Sequence, residues 1–115
     1  MKNFSIATRQ HQKISILDIS GELDAHTASH LENALKSLID DKSYSIIVNC
    51  AGLDYIASAG LGVFMAYIED VRSLGGDIKL SNMNDRVYNV FDLLGFPTLY
   101  DILDDEKEAL NSFEN

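Results

Sequence analysis

Residues 44–50 read Tyr-Ser-Ile-Ile-Val-Asn-Cys, with an unbroken β-branched run at 46–48. A strand with one wet face alternates apolar and polar residues, whereas a continuous apolar run needs cover on both faces, as central strands of parallel sheets have. The flanking segments supply that cover. Ala28, Leu31, Leu35, Leu38 and Ile39 fall at helical spacing, giving a first amphipathic helix over roughly 26–40. From Ser58 onward, Leu61, Met65, Ile68, Val71 and Leu74 share a second stripe, and Gly75-Gly76 supplies a left-handed stop. Residues 77–81 read as a short strand, Val87, Val90, Phe91 and Leu94 as a third helix stopped by Gly95 and Pro97, and residues 99–102 as a last short strand. Ala109, Leu110 and Phe113 mark a C-terminal helix.

Before the first helix, Phe4, Ile6 and Thr8 alternate with polar neighbours, residues 10–12 form a polar turn, and residues 14–19 alternate again. This spacing predicts an antiparallel hairpin at the sheet edge, broken at Gly21-Glu22-Leu23-Asp24. Strands alternating with helices imply right-handed crossovers. The expectation is an α/β fold: one domain over 1–115, a mainly parallel central sheet with an N-terminal antiparallel edge strand, and about four helices.

Composition narrows the function. With 46% hydrophobic residues, 115 residues hold a core without metal or disulfide support. The single cysteine, Cys50, ends the apolar run and reads as a buried thiol, which fits a reducing compartment. No apolar run approaches the roughly 20 residues that span a bilayer, and no basic segment precedes a hydrophobic one at the N-terminus. A cytoplasmic location without membrane insertion is expected. Nine basic residues against 18 acidic ones give a net charge of −9, with Lys and Arg scattered singly. Such a surface repels phosphodiester backbones and anionic lipid, so no direct nucleic-acid partner is expected.

The strand-to-helix junction at 53–65, Leu-Asp-Tyr-Ile-Ala-Ser-Ala-Gly-Leu-Gly-Val-Phe-Met, places one hydroxyl, Ser58, where a helix should begin. Unpaired N–H groups there carry partial positive charge and can hold a phosphate. Two readings stay open: a phosphate-accepting switch, or an N-cap whose oxygen stabilises the helix by about 1 kcal/mol. A hydrolase nucleophile is disfavoured, because Ile56 stands where Gly-x-Ser-x-Gly requires glycine and His11, His26 and His30 all precede Ser58. Ala57, Ala59, Gly60 and Gly62 remove bulk around the hydroxyl. They serve close packing against the sheet or access for a protein partner. Asp24 can cap the first helix. His26 and His30, one turn apart, lack a third ligand, and no cofactor motif occurs. The acidic run 104–108 suits the start of the last helix. No acid, base and nucleophile converge, so an enzyme is not expected.

Two segments then carry a resemblance. Ile-Ser-Gly-Glu-Leu-Asp-Ala-His-Thr-Ala at 19–28 and Tyr-Ile-Ala-Ser-Ala-Gly-Leu-Gly-Val at 55–63 resemble the signature regions of STAS domains, specifically the bacterial anti-sigma factor antagonists. Their separation, the βαβ order and the length are similar too. The resemblance implies a partner-switching regulator. The unmodified antagonist binds an anti-sigma factor that is also a serine kinase, and so frees a sigma factor. The kinase uses ATP to phosphorylate the serine matching Ser58, and a metal-dependent serine phosphatase reverses this. Asp24 then belongs to the neighbouring partner-contact region. The residue before the acceptor is often aspartate or serine in this family, and here it is Ala57. An alternative from the same resemblance is a non-switching accessory STAS subunit of a lipid-transport or larger signalling complex.

Overall fold

Strands that follow one another in sequence also lie side by side. In the computed structural model, which describes residues 4–114, β1 (Ser5–His11) turns through Gln12, in the left-handed region at φ 55°, into β2 (Ile14–Leu23). Next come α1 (Ala28–Asp40), β3 (Ser45–Ile56), α2 (Ser58–Ser73), β4 (Asp77–Ser81), α3 (Asp85–Leu93), the single turn α4 (Phe96–Leu99), β5 (Ile102–Leu103) and α5 (Glu106–Glu114). The sheet order is β1-β2-β3-β4-β5; β1 runs antiparallel to β2 and every other neighbouring pair is parallel.

β3 is the central strand, and its apolar run is dry on both sides. Ile46, Val48 and Cys50 enter the larger core with Leu17, Ile19, Leu31, Leu35, Ile68, Val71 and Phe91, under α1, α2 and α3. Ile47 points the other way, to Ile14, Ile16 and Ala109 of α5. Burial pushes the Cys50 thiol up to about 12, so it stays protonated and serves as packing. Phe64, Phe91, Phe96 and Tyr100 form a ring ladder with centroids 5.0–5.9 Å apart that ties α3 and α4 to α2.

Among the described residues only α5 covers the second face, and polar contacts hold both its ends. Arg9 on β1 pairs with Asp18 and with Glu106, and Asn49 Nδ2 donates to Glu106 Oε1 at 3.1 Å. At the other end Lys79, almost buried, donates to Ser112 Oγ at 2.9 Å and lies 4.6 Å from the Phe113 ring centroid. Asp105 accepts the Glu108 amide at 2.9 Å, so the acidic run starts the helix as expected. The Arg9 guanidinium, and then Asn49, hold the Glu106 carboxyl below its usual value against the opposing effect of burial. A carboxyl depressed in the folded state contributes stability above its unfolded value, and that contribution is lost as pH falls through the folded value. We expect thermal stability to drop below about pH 4.3, with the Glu106→Gln variant showing a shallower drop in acid melts. An equal acid slope in wild type and variant would remove Glu106 as a cause.

The expected architecture holds, with local corrections. β2 continues through Leu23 rather than breaking at Gly21, because Gly21 takes φ 94° and the register with β3 slips there, so a bulge absorbs the irregularity. β2 is therefore an interior strand and β1 the edge. α1 starts at Ala28, which leaves His26 in the preceding turn, off the helical face that bears His30. Pro97 lies in the first turn of α4, where its missing N–H is tolerated, instead of ending a helix, and β5 falls at 102–103. On α2, Phe64 and Tyr67 are buried while Met65 is 46% and Leu74 49% exposed, so the buried stripe is rotated from the expected one.

The stop after α2 is as read. Gly75 takes φ 91°, its amide reaches Arg72 O at 3.1 Å, and the Gly76 amide reaches Val71 O at 3.0 Å, a Schellman pair.

Candidate functional site

Three loops meet at the C-terminal edge of the parallel strands, where α1, α2 and α3 begin. Leu23 pairs with Ile56, and the Ala57 amide donates to Leu23 O at 2.9 Å, which sets the turn at residues 24–27 beside the start of α2. Asn84 caps α3 by accepting the Val87 amide at 2.8 Å, and its Nδ2 donates to Leu53 O at 3.1 Å, drawing the third loop in.

The turn after β2 is tightly bonded. Asp24 Oδ1 accepts the His26 amide at 2.9 Å and the Thr27 amide at 3.2 Å, while Thr27 Oγ1 accepts the Asp24 amide and donates to Glu22 O at 2.8 Å. The His26 amide is the main reason the Asp24 carboxyl is held below its usual value. Asp24 thus caps the approach to α1, as its position suggested, and stays ionised at neutral pH.

Ser58 is the first helical residue of α2, not its N-cap. Ala57 occupies the cap with extended backbone (φ −108°, ψ 172°), and a methyl group cannot accept a hydrogen bond. The Ser58 side chain is exposed, and its hydroxyl has no hydrogen-bond partner among the described residues. The capping account of this serine therefore does not hold. The first-turn amides of Ser58 and Ala59 likewise lack protein acceptors among the described residues, so the helix presents free donors and an unused hydroxyl together.

The small residues around it divide into two kinds. Ala57 and Ala59 are half-buried. Gly60 is buried, and a Cβ there would lie 2.7 Å from Cγ and Cδ2 of Leu23, so its smallness serves contact between α2 and the sheet. Gly62 has nothing within 4 Å of that position and faces solvent. Gly60→Ala should therefore destabilise the fold by roughly 1–3 kcal/mol. Gly62→Ala should stabilise it by about 0.5–1 kcal/mol through helix propensity. Urea denaturation of the two variants checks this, and opposite signs are the expected result.

Met65 extends the exposed surface. It lies seven residues beyond Ser58, on the same side of α2 as Gly62, and periodicity alone hid it among buried positions. Tyr55, 52% exposed at the end of β3, lies three residues before Ser58.

A family model described as STAS domain matches residues 5–109. The chain belongs to the STAS domain family. This STAS domain is 29% identical over 100 residues to the anti-sigma-B factor antagonist of Bacillus subtilis, covering 87% of this chain and 91% of that protein. Its fold matches the crystal structure of an anti-sigma factor antagonist from Mycobacterium paratuberculosis with a TM-score of 0.91 at 19% identity, over 98% of this chain and 96% of that one. It also matches the Bacillus cell fate determinant SpoIIAA in its phosphorylated form, with a TM-score of 0.72 at 20% identity, over 96% and 99% of the two chains. No helix of this STAS domain among the described residues is long and apolar enough to cross a membrane.

Proposed function

We propose that this STAS domain is an anti-sigma factor antagonist: it binds an anti-sigma factor serine kinase, releases a sigma factor, and is switched off by phosphorylation at Ser58. One observation carries the reading. The Ser58 hydroxyl is exposed at the first turn of α2 and does no structural work there. Its loss or modification leaves no buried group unpaired. The names of the relatives support the antagonist role, and the existence of a phosphorylated form of SpoIIAA supports modification by phosphate. The contact surface consists of Asp24, Ala57, Ser58, Ala59 and Gly62, with Gly60 beneath them as the residue that lets α2 sit close to Leu23. A serine phosphatase restores the binding form.

The test pairs the purified protein with the anti-sigma factor kinase of the same genome and ATP. A mass gain of one phosphate in wild type and none in Ser58→Ala, with Ser58→Ala still binding the kinase, is the expected result. A phosphate on another residue would overturn the assignment. The non-switching accessory role, in which the serine only caps α2, has less support, because the hydroxyl caps nothing.

A further inference from the structure

We propose that the groove between the C-terminal halves of α1 and α2, at the opposite end of the molecule from Ser58, is a second docking surface, for a basic amphipathic segment of a protein partner. This inference does not depend on the role of Ser58.

The groove is a cavity of about 340 Å³. Its floor and one wall are apolar: the Tyr67 ring, the partly buried Ile39, and Leu74, which sits at the C-cap of α2 and leaves half its surface in water. Leu74 lies three residues beyond the buried Val71 and is left uncovered in the groove. The rim carries Asp40 and Lys36 on α1 and Asp70 on α2, so its charge is negative by one.

Helix geometry deepens the negative potential. α1 joins β2 to β3 and α2 joins β3 to β4, both parallel crossovers, so the two helices point the same way and both carbonyl ends lie here. Such ends carry partial negative charge and favour cations. α1 nevertheless closes on Asp40 and Asp41, with no basic residue in its last turn. The one basic residue in the last turn of α2, Arg72, is committed elsewhere, to Asp77 and to the Leu99 carbonyl. The margins add Glu32, whose Oε2 accepts from Tyr67 Oη at 3.3 Å, and Asp41, against Lys42. Carboxylates outnumber ammonium groups, and among the described residues Asp40, Asp41 and Asp70 take part in no ion pair.

Charge and shape together select the occupant. A second copy of this chain, an anionic membrane or a nucleic acid would bring more negative charge to a protein already at −9. An apolar side chain flanked by Lys or Arg fits both halves of the groove: it covers Leu74 and Tyr67 and places cations at two helix ends. A protein so equipped can stay tethered through one end while the other end switches.

The probe is an acetyl-KLLKKLLK-amide peptide, titrated into the isotopically labelled full chain and followed by amide chemical shifts. Saturable shifts at 36–41 and 67–75 are expected. Leu74→Ser, an exposed site that leaves every charge in place, should weaken binding about tenfold, and the Asp40→Asn, Asp70→Asn double variant by at least as much. Ser58→Asp should change it less than about twofold. Equal affinity for wild type and Leu74→Ser would reduce the effect to general attraction of a cation to an acidic protein and overturn the proposal, as would shifts centred on α3 or on the Ser58 end. A peptide with serine in place of leucine should bind no better to wild type than to Leu74→Ser; a preference for wild type by that peptide would also overturn it.

Discussion

Under the proposed switch, phosphorylation at Ser58 should lower affinity for an anti-sigma factor kinase by two to four orders of magnitude, while the melting temperature of the free domain stays within a few degrees. The argument is electrostatic. A phosphoserine carries about −1.5 to −2 charges at pH 7. On the free protein the group is in water at the first turn of α2, beside the unpaired amides of Ser58 and Ala59, so the fold tolerates it. Under a partner the same group must be desolvated. The end of the molecule that holds it also holds Glu22, Asp24 and Asp85 against Arg86. Arg72 is 14 residues along α2, about 21 Å away at 1.5 Å per residue, and already bonded to Asp77. Turning a complex from almost wholly bound to almost wholly free takes about 5.5 kcal/mol of differential affinity, and an unpaired buried dianion can supply that. Calorimetry of the phosphorylated and unmodified proteins against the kinase measures the difference. A loss below tenfold, or a melting shift large enough to unfold the phosphorylated domain at assay temperature, would defeat the mechanism.

Gly76→Ala should be strongly destabilising. A Cβ at that position would stand 2.0 Å from the carbonyl oxygen of Tyr44 and 2.6 Å from its carbonyl carbon and Cβ. The two carbonyl atoms belong to the backbone just before β3, and the same Tyr44 carbonyl accepts the Asp77 amide at 2.9 Å. Relief therefore means moving the central strand away from β4, not rotating a side chain. Overpacking typically costs about 1–3 kcal/mol and more where the backbone must shift. We expect at least about 3 kcal/mol, or a fall in Tm of about 10 °C or more. Gly75→Ala, one residue earlier, meets no neighbour but has φ 91° and should cost less, roughly 1–2 kcal/mol. Thermal melts of the pair rank them, and a milder effect for Gly76→Ala would show that the two strands separate more readily than their packing implies.

The sequence displayed some of this and hid the rest for physical reasons. The β-branched run at 46–48 announced a strand with two dry faces, because few other settings bury three such residues in a row. Gly75 announced the end of α2, because only a left-handed residue closes a Schellman pair. α2 was harder. Leu61, Val63, Phe64, Met65, Tyr67, Ile68 and Val71 spread over more than half its circumference, so periodicity permitted several buried stripes, and its contacts with α1 and α3 chose the one that exposes Met65 and Leu74. Gly21 looked like a strand end, yet pairing with β3 extends the strand through it. At the candidate site, Ser58 stood out in the sequence, but its status rested on a single residue of offset. Whether the cap falls at 57 or 58 decides between a bonded and an unused hydroxyl, and helix ends are the least legible part of any pattern.

Because both helical crossovers between β2 and β4 fall on one side of the sheet, the opposite side waits for α5. A nascent polypeptide can pair its strands and seal the larger core once β5 has emerged, yet Ile14, Ile16 and Ile47 stay bare until 106–114 leave the ribosome. Translational pausing or proteolytic cleavage just before α5 would thus release a folded but sticky sheet, and the hazard is aggregation of chains that lack α5.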